Sequence, residues 1–166
     1  MRNFTIFSIL CLCLCLAYPK RGSAQSAMDA ARLLGEYKQA LLTYDPANLI
    51  RFYSSQTLTV MQDKKITGYD MGLEYYRLGI CGDPDLKLNH GFGVLLFYAE
   101  DKRCHPYFMV FQKGLWRYDF VSMSQVLQYN ELAHVWTIDK MLKTPYSFAF
   151  ETAADRYRKK YERKDE

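Results

Sequence analysis

Metal and nucleophilic chemistry have little to build on in this sequence. Histidine is rare, and none of His90, His105 and His134 has a second His, Cys or carboxylate at ligand spacing, such as i and i+4 on a helix, so no metal site is expected. No Gly-x-Ser-x-Gly elbow, phosphate-binding glycine loop or zinc-protease helix motif occurs, and no cofactor is expected. Cys104 beside His105 does not make a thiol catalyst, because adjacent strand residues point to opposite faces. The chain also lacks internal repeats and low-complexity linkers.

A long hydrophobic run is missing as well. The one apolar stretch, Phe4 to Ala17, is shorter than the roughly 20 residues that span a bilayer as a helix. With Arg2 before it and Gly22, Ser23 and Ala24 after Lys20-Arg21, it reads as a signal peptide over residues 1–24 cut before Gln25, and residues 25–166 as one exported domain, periplasmic or secreted. A cut after Ala17 and an uncleaved anchor are the alternatives. A lipoprotein is excluded, since Leu10, Leu12 and Leu14 precede the cysteines of this segment where small residues are required.

Charge of one sign is lacking once that segment is removed. Arg2, Lys20 and Arg21 leave with it, taking 22 basic side chains to 19 against 18 acidic, a net charge of +1. That balance argues against a nucleic-acid partner, which requires a basic footprint, and no membrane association is expected after cleavage. Of five cysteines, Cys11, Cys13 and Cys15 lie in the leader. Cys81 and Cys104 remain, either as a disulfide worth ~3 kcal/mol in an oxidising compartment or as two buried thiols.

Aromatic residues are abundant by contrast, at 16% of the chain, enough to fill a core. Ser26-Ala27-Met28-Asp29 reads as a capping box, and Ala30, Leu33, Leu34, Tyr37, Ala40, Leu41 and Tyr44 follow at helical spacing. Asp45-Pro46 opens a short helix to Tyr53. Leu58–Gln62 is expected as a strand with Asp63-Lys64-Lys65 as its turn, and Thr67-Gly68-Tyr69-Asp70 caps a helix carried by Met71, Tyr75 and Leu78. Three strand-like runs follow, Leu86–Glu100, Cys104–Gln112 and Leu115–Met123, with Lys113-Gly114 turning the last pair into a meander.

The middle run is apolar on both faces, with Tyr107, Met109 and Phe111 opposed to Phe108 and Val110. Such a strand is covered on both sides, by helices and by something else. A partner subunit is one candidate, which makes Tyr107, Met109 and Phe111 the expected interface. Ser124–Leu142 is ambiguous, with a strand expected over Val135–Ile138. Thr144-Pro145 opens a C-terminal helix repeating through Ala149, Ala153, Tyr157 and Tyr161, whose charged end is a solvated face.

The order of these elements, with the helix ending at Tyr44-Asp45, Phe52-Tyr53-Ser54, the run Gly68–Tyr76 and Gly114-Leu115-Trp116-Arg117-Tyr118-Asp119, resembles nuclear transport factor 2-like domains over residues 28–123. The resemblance implies an α+β fold in a bacterial exported protein, with a cone-shaped curved antiparallel sheet wrapped around N-terminal helices, a C-terminal helix, a cavity at the wide end and often a homodimer. The family's isomerase-like and SnoaL-like enzymes would place a tyrosine at Tyr37, but their carboxylate base falls on Gln62, with Asp63 one residue on. The second acid falls near Tyr107 or Phe108. Tyr37 and Asp63 are therefore the catalytic candidates of the enzyme reading. The leading expectation is a non-enzymatic binding domain for a small apolar ligand or a protein partner, with Tyr37, Tyr44, Phe52, Tyr75, Tyr76 and Trp116 facing the ligand. A third expectation is a periplasmic interaction or immunity-type protein.

Overall fold

Local signals written into the sequence set most of the helix boundaries. The computed structural model describes residues 22–97, 104–130, 135–139 and 143–150. Helix α1, Gly22–Leu41, buries Ala30, Leu33, Leu34, Tyr37, Ala40 and Leu41 along the face the spacing predicts, but it starts before the cap expected at Ser26–Asp29 and ends before Tyr44, which is exposed at a φ of 53°. Asp45 then accepts from the Ala47 N–H at 3.0 Å and starts two single 3-10 turns, Pro46–Asn48 and Ile50–Phe52, where a short helix is expected.

The segment expected as the strand Leu58–Gln62 is helical instead: α2 runs Ser55–Met61. The Ser54 hydroxyl accepts from the Thr57 N–H at 3.1 Å, and Thr57 Oγ1, fully buried, accepts from the Phe120 N–H at 3.0 Å. A cap and a tertiary contact thus outweigh the β-preference of Thr59 and Val60. Helix α3, Gly68–Ile80, carries the expected capping box, with Asp70 Oδ2 accepting from the Thr67 N–H at 2.8 Å and Thr67 Oγ1 from the Asp70 N–H. Cys81, at its C-terminal end, is disulfide-bonded to Cys104, which settles the choice between a bridge and two thiols.

The expected run Leu86–Glu100 is two strands, β1 (Asp85–Asn89) and β2 (Phe92–Leu96). His90 and Gly91 take φ of 44° and 82°, the left-handed pair of a two-residue hairpin turn, and so cut the run. Lys113 and Gly114, at 51° and 80°, do the same between β3 (Tyr107–Gln112) and β4 (Leu115–Tyr118), as predicted. The four strands form an antiparallel meander in the order β1-β2-β3-β4. β4 ends earlier than Met123 because Asp119 Oδ1 accepts from the Ser122 N–H and caps α4, Phe120–Val126. Phe120 is thereby helical, yet its ring still packs near Tyr118, centroids 5.7 Å apart. A separate two-stranded sheet pairs β5 (Leu127–Asn130) with β6 (Val135–Ile138), the latter as expected.

Register fixes what each sheet face meets. Met109 sits opposite Tyr118 and Phe111 opposite Trp116, so Tyr107, Met109 and Phe111 belong to the helix-side face with the β4 aromatics. Tyr107 and Met109 are fully buried there and only Phe111 is exposed, so the outward apolar patch expected around these three residues is not formed. The outer face carries Phe92, Val94 and Phe108. It is covered by the chain's own residues 143–150: the Tyr146 ring stacks on Phe108 at 4.4 Å, and Lys87 Nζ donates to the Ala149 carbonyl at 2.9 Å. The Tyr146 hydroxyl in turn donates to Asp119 Oδ2 at 2.8 Å, tying this strap to the α4 cap.

The fold class is α+β, with open sheets. Of the expected C-terminal helix, Ala149 lies in a 3-10 turn, Ser147–Ala149, while Ala153, Tyr157 and Tyr161 lie outside the described residues. Among the described residues no helix is long and apolar enough to cross a membrane.

Candidate functional site

Helices α1, α2, α3 and α4 leave between them an open cavity of about 570 Å³, lined also by His105 and Trp136. Most of its wall is aliphatic or aromatic, from Leu41, Leu49, Met61, Met71 and Phe120 among others. Its polar groups converge from four different elements. Tyr37 reaches in from the buried face of α1, Tyr53 from the turn before α2, Glu74 and Arg77 from α3, and His105 from the segment leading into β3. The α3 groups recur because residues 70, 73, 74 and 77 share one helix face.

The polar groups are linked in pairs. The Tyr107 hydroxyl donates to Glu74 Oε1. The Tyr37 hydroxyl acts on Tyr53, partly offsetting the rise that burial gives its pKa. His105 Nδ1 lies 3.1 Å from the Pro106 carbonyl, an acceptor only, so this nitrogen carries the proton and Nε2 keeps its lone pair. The imidazole packs at 4.6 Å from the Tyr107 ring and 5.0 Å from Trp136. Tyr118 lies behind Tyr37, ring centroids 4.8 Å apart, and its buried hydroxyl has no hydrogen-bond partner among the described residues.

Burial and the Glu74 charge set the protonation states. Burial pushes the His105 imidazole below its ordinary value of 6.5, outweighing the opposing pull of the Pro106 carbonyl and Glu74, with Arg77 pushing the same way as burial. Tyr53 is pushed up to about 12, chiefly by burial. Tyr37, Tyr107 and Tyr118 are all raised well above the ordinary 10, by burial first and by Glu74 as well. At neutral pH the site therefore offers protonated phenols and a neutral imidazole beside the Glu74 carboxyl group, a set suited to hydrogen-bonding a ligand's polar end. A phenolate base is out of reach. Among the described residues, no group of three or more His, Cys, Asp and Glu could hold a metal ion.

Of the expected ligand-facing residues, Tyr37 alone lines the cavity. Phe52 is buried one layer behind it, ring centroids 5.5 Å apart. Tyr44 is exposed and lies across Gly68 and Gly72 of α3, while Tyr75 and Tyr76 are on the outward side of that helix. Trp116 is buried under the sheet, beside Phe111 and over Gly93. Asp63 and Gln62 are exposed in the turn after α2, outside the cavity wall, so the structure does not bring Tyr37 and Asp63 into one pocket.

Tyr53, Glu74, Arg77, His105 and Trp136 were not singled out as site residues from sequence. Asp70, Glu74 and Arg77 on one face of a capped helix were a readable signal. His105 was not, because its place depends on the bridge from Cys104 to the end of α3. No family model, curated protein or solved structure matches the chain.

Proposed function

We propose that this protein is an exported, non-enzymatic binding domain that holds a small, largely apolar molecule in the cavity between α1, α2, α3 and α4. One observation carries the reading: a mostly apolar space of about 570 Å³ on which polar groups, Tyr37, Tyr53, Glu74, Arg77 and His105 among them, converge from separate elements. Pockets of that size, mostly apolar with a few placed polar groups, are the usual form of a small-molecule site. Export is supported by the leader-like residues 1–24 and by the Cys81–Cys104 bridge, since disulfides persist in oxidising compartments. The exposed position of Asp63 removes the carboxylate that the isomerase-like alternative required beside Tyr37.

A cone-shaped, nuclear transport factor 2-like architecture belongs to the same proposal. It is supported by the order of helices followed by a meander, and by Gly114, Trp116 and Asp119 at a hairpin turn, a buried position and a helix cap. Helix α2 stands where that resemblance expects a strand.

Native mass spectrometry of the protein purified from the culture medium or periplasm tests the reading. A single small molecule retained by the folded chain and lost on unfolding is the expected result. A second reading, pairing with another copy of this chain, is favoured by one observation. Tyr69, Leu73, Tyr76 and Ile80 are exposed along α3 at steps of four, three and four residues, the spacing of a helix–helix seam. Sedimentation of the intact protein beside its Tyr76→Lys variant tests this: a dimer that the substitution dissociates supports pairing, and a wild-type monomer refutes it.

A further inference from the structure

We propose that the cavity's ligand is a cation with an apolar body, a protonated amine whose ammonium group sits against the Glu74 carboxylate among aromatic faces. This rests on the small-molecule reading above and names its ligand class.

Glu74 lies in the cavity wall and is half buried. Its contact is the Tyr107 hydroxyl, which occupies one of its oxygens, and no Lys, Arg or His nitrogen among the described residues lies within ion-pair distance of it. A carboxylate drawn from water without a counter-ion is costly, and a ligand cation is the partner that would relieve it.

The surrounding wall suits the same charge. Tyr37, Tyr53, Phe120 and Trp136 line the cavity together with Glu74, and aromatic faces attract ammonium groups. His105 does not neutralise Glu74, because its buried imidazole is held toward the uncharged form. Arg77 is the competing cation, but its side chain is exposed. Glu74 acts on Tyr37, Tyr53, Tyr107 and Tyr118, while Arg77 acts on Tyr107 alone of these, more weakly than Glu74. Lys64 and Lys65 also line the cavity, from the turn before the start of α3, and neither pairs with Glu74.

Titration of the full oxidised protein with n-octylammonium chloride, n-octanol and sodium octanoate, followed by tryptophan fluorescence, tests the ligand class. The three probes share one apolar chain and differ in head charge, and Trp136 in the wall is the reporter. Octylammonium should bind about tenfold more tightly than octanol, with octanoate weakest. Glu74→Gln keeps an acceptor for Tyr107 and should remove that preference, and a far-UV circular dichroism spectrum and cooperative melt like the wild type's show that the variant is folded. Equal or tighter binding of octanol or octanoate by the wild type, or a preference that survives Glu74→Gln, overturns the cation assignment while leaving the apolar-ligand reading standing. Binding of none of the three overturns both.

Discussion

Four tyrosines crowd around Glu74, and their hydroxyls are not equivalent. The Tyr107 hydroxyl donates to Glu74, whereas the Tyr118 hydroxyl is buried with no partner among the described residues. A buried polar group left unpaired is a cost that the aromatic ring does not need to bear. Tyr118→Phe should therefore leave stability unchanged or raise it by about 1 kcal/mol, while Tyr107→Phe should lower it by about 1–3 kcal/mol by stripping a donor from a carboxylate. Urea denaturation of the two variants checks the contrast, and a Tyr118→Phe loss as large as that of Tyr107→Phe would show that the hydroxyl has a partner.

His105 makes a second prediction at this scale. Its imidazole faces Glu74, Arg77, the Tyr107 and Trp136 rings and the Pro106 carbonyl, and burial holds its folded-state pKa below the unfolded value of 6.5. Between those two values the unfolded chain binds more protons than the folded one, so stability falls as pH drops through that window. The stability that depends on neutral His105 is fully present above pH 6.5 and is lost as pH falls toward the folded value. Thermal melts of wild type and His105→Gln between pH 7.5 and 5 should show a loss for wild type that the variant lacks in part. Parallel pH dependences would contradict the buried neutral imidazole.

Among the elements, α2 is where sequence and structure part. Thr59 and Val60, in the expected strand Leu58–Gln62, are β-branched and favour extended backbone, yet the Ser54 cap and the bond from the Phe120 N–H to Thr57 Oγ1 make the segment a helix. Ser54→Ala should then cost about 1–2 kcal/mol, the loss of an N-cap at a buried site, where a strand there would lose little. Chemical denaturation of that variant measures it.

The same contrast explains what was legible elsewhere. Caps at Asp45 and Thr67 and the Lys113-Gly114 turn act within a few residues, and each is found where the sequence places it. The Asn89–Phe92 turn was hidden because His90, a residue that does take left-handed backbone, sits in a run of strand formers. Both apolar faces of β3 could be read, but which face the helices cover could not. That choice depends on residues 143–150 folding back through Tyr146 and Lys87, some forty residues or more away from what they cover. The cavity was missed for the same reason: Tyr37 was visible on the α1 stripe, but the partners of Glu74 and His105 come from other elements.

For the whole molecule, the Cys81–Cys104 bridge joins two walls of the cavity, the end of α3 and the segment carrying His105. The loop it closes spans a sequence separation of 23, and cross-linking one of that length is worth ~3 kcal/mol. Reduction, or the Cys81→Ala, Cys104→Ala pair, should lower stability by about that amount, as measured by urea denaturation with and without reductant. It should also weaken ligand uptake, since His105 loses its tether to α3. Unchanged stability would mean that the bridge constrains nothing the fold depends on.

The account as a whole depends on the space between the four helices being a ligand site. Uptake of the neutral dye Nile red by the oxidised protein, compared with a Val121→Trp variant that fills the cavity from α4, tests this most directly. The account predicts one dye per chain with blue-shifted emission, and loss of that uptake in a variant that still melts cooperatively. No uptake by the wild type, or uptake that filling the cavity leaves unchanged, would contradict it.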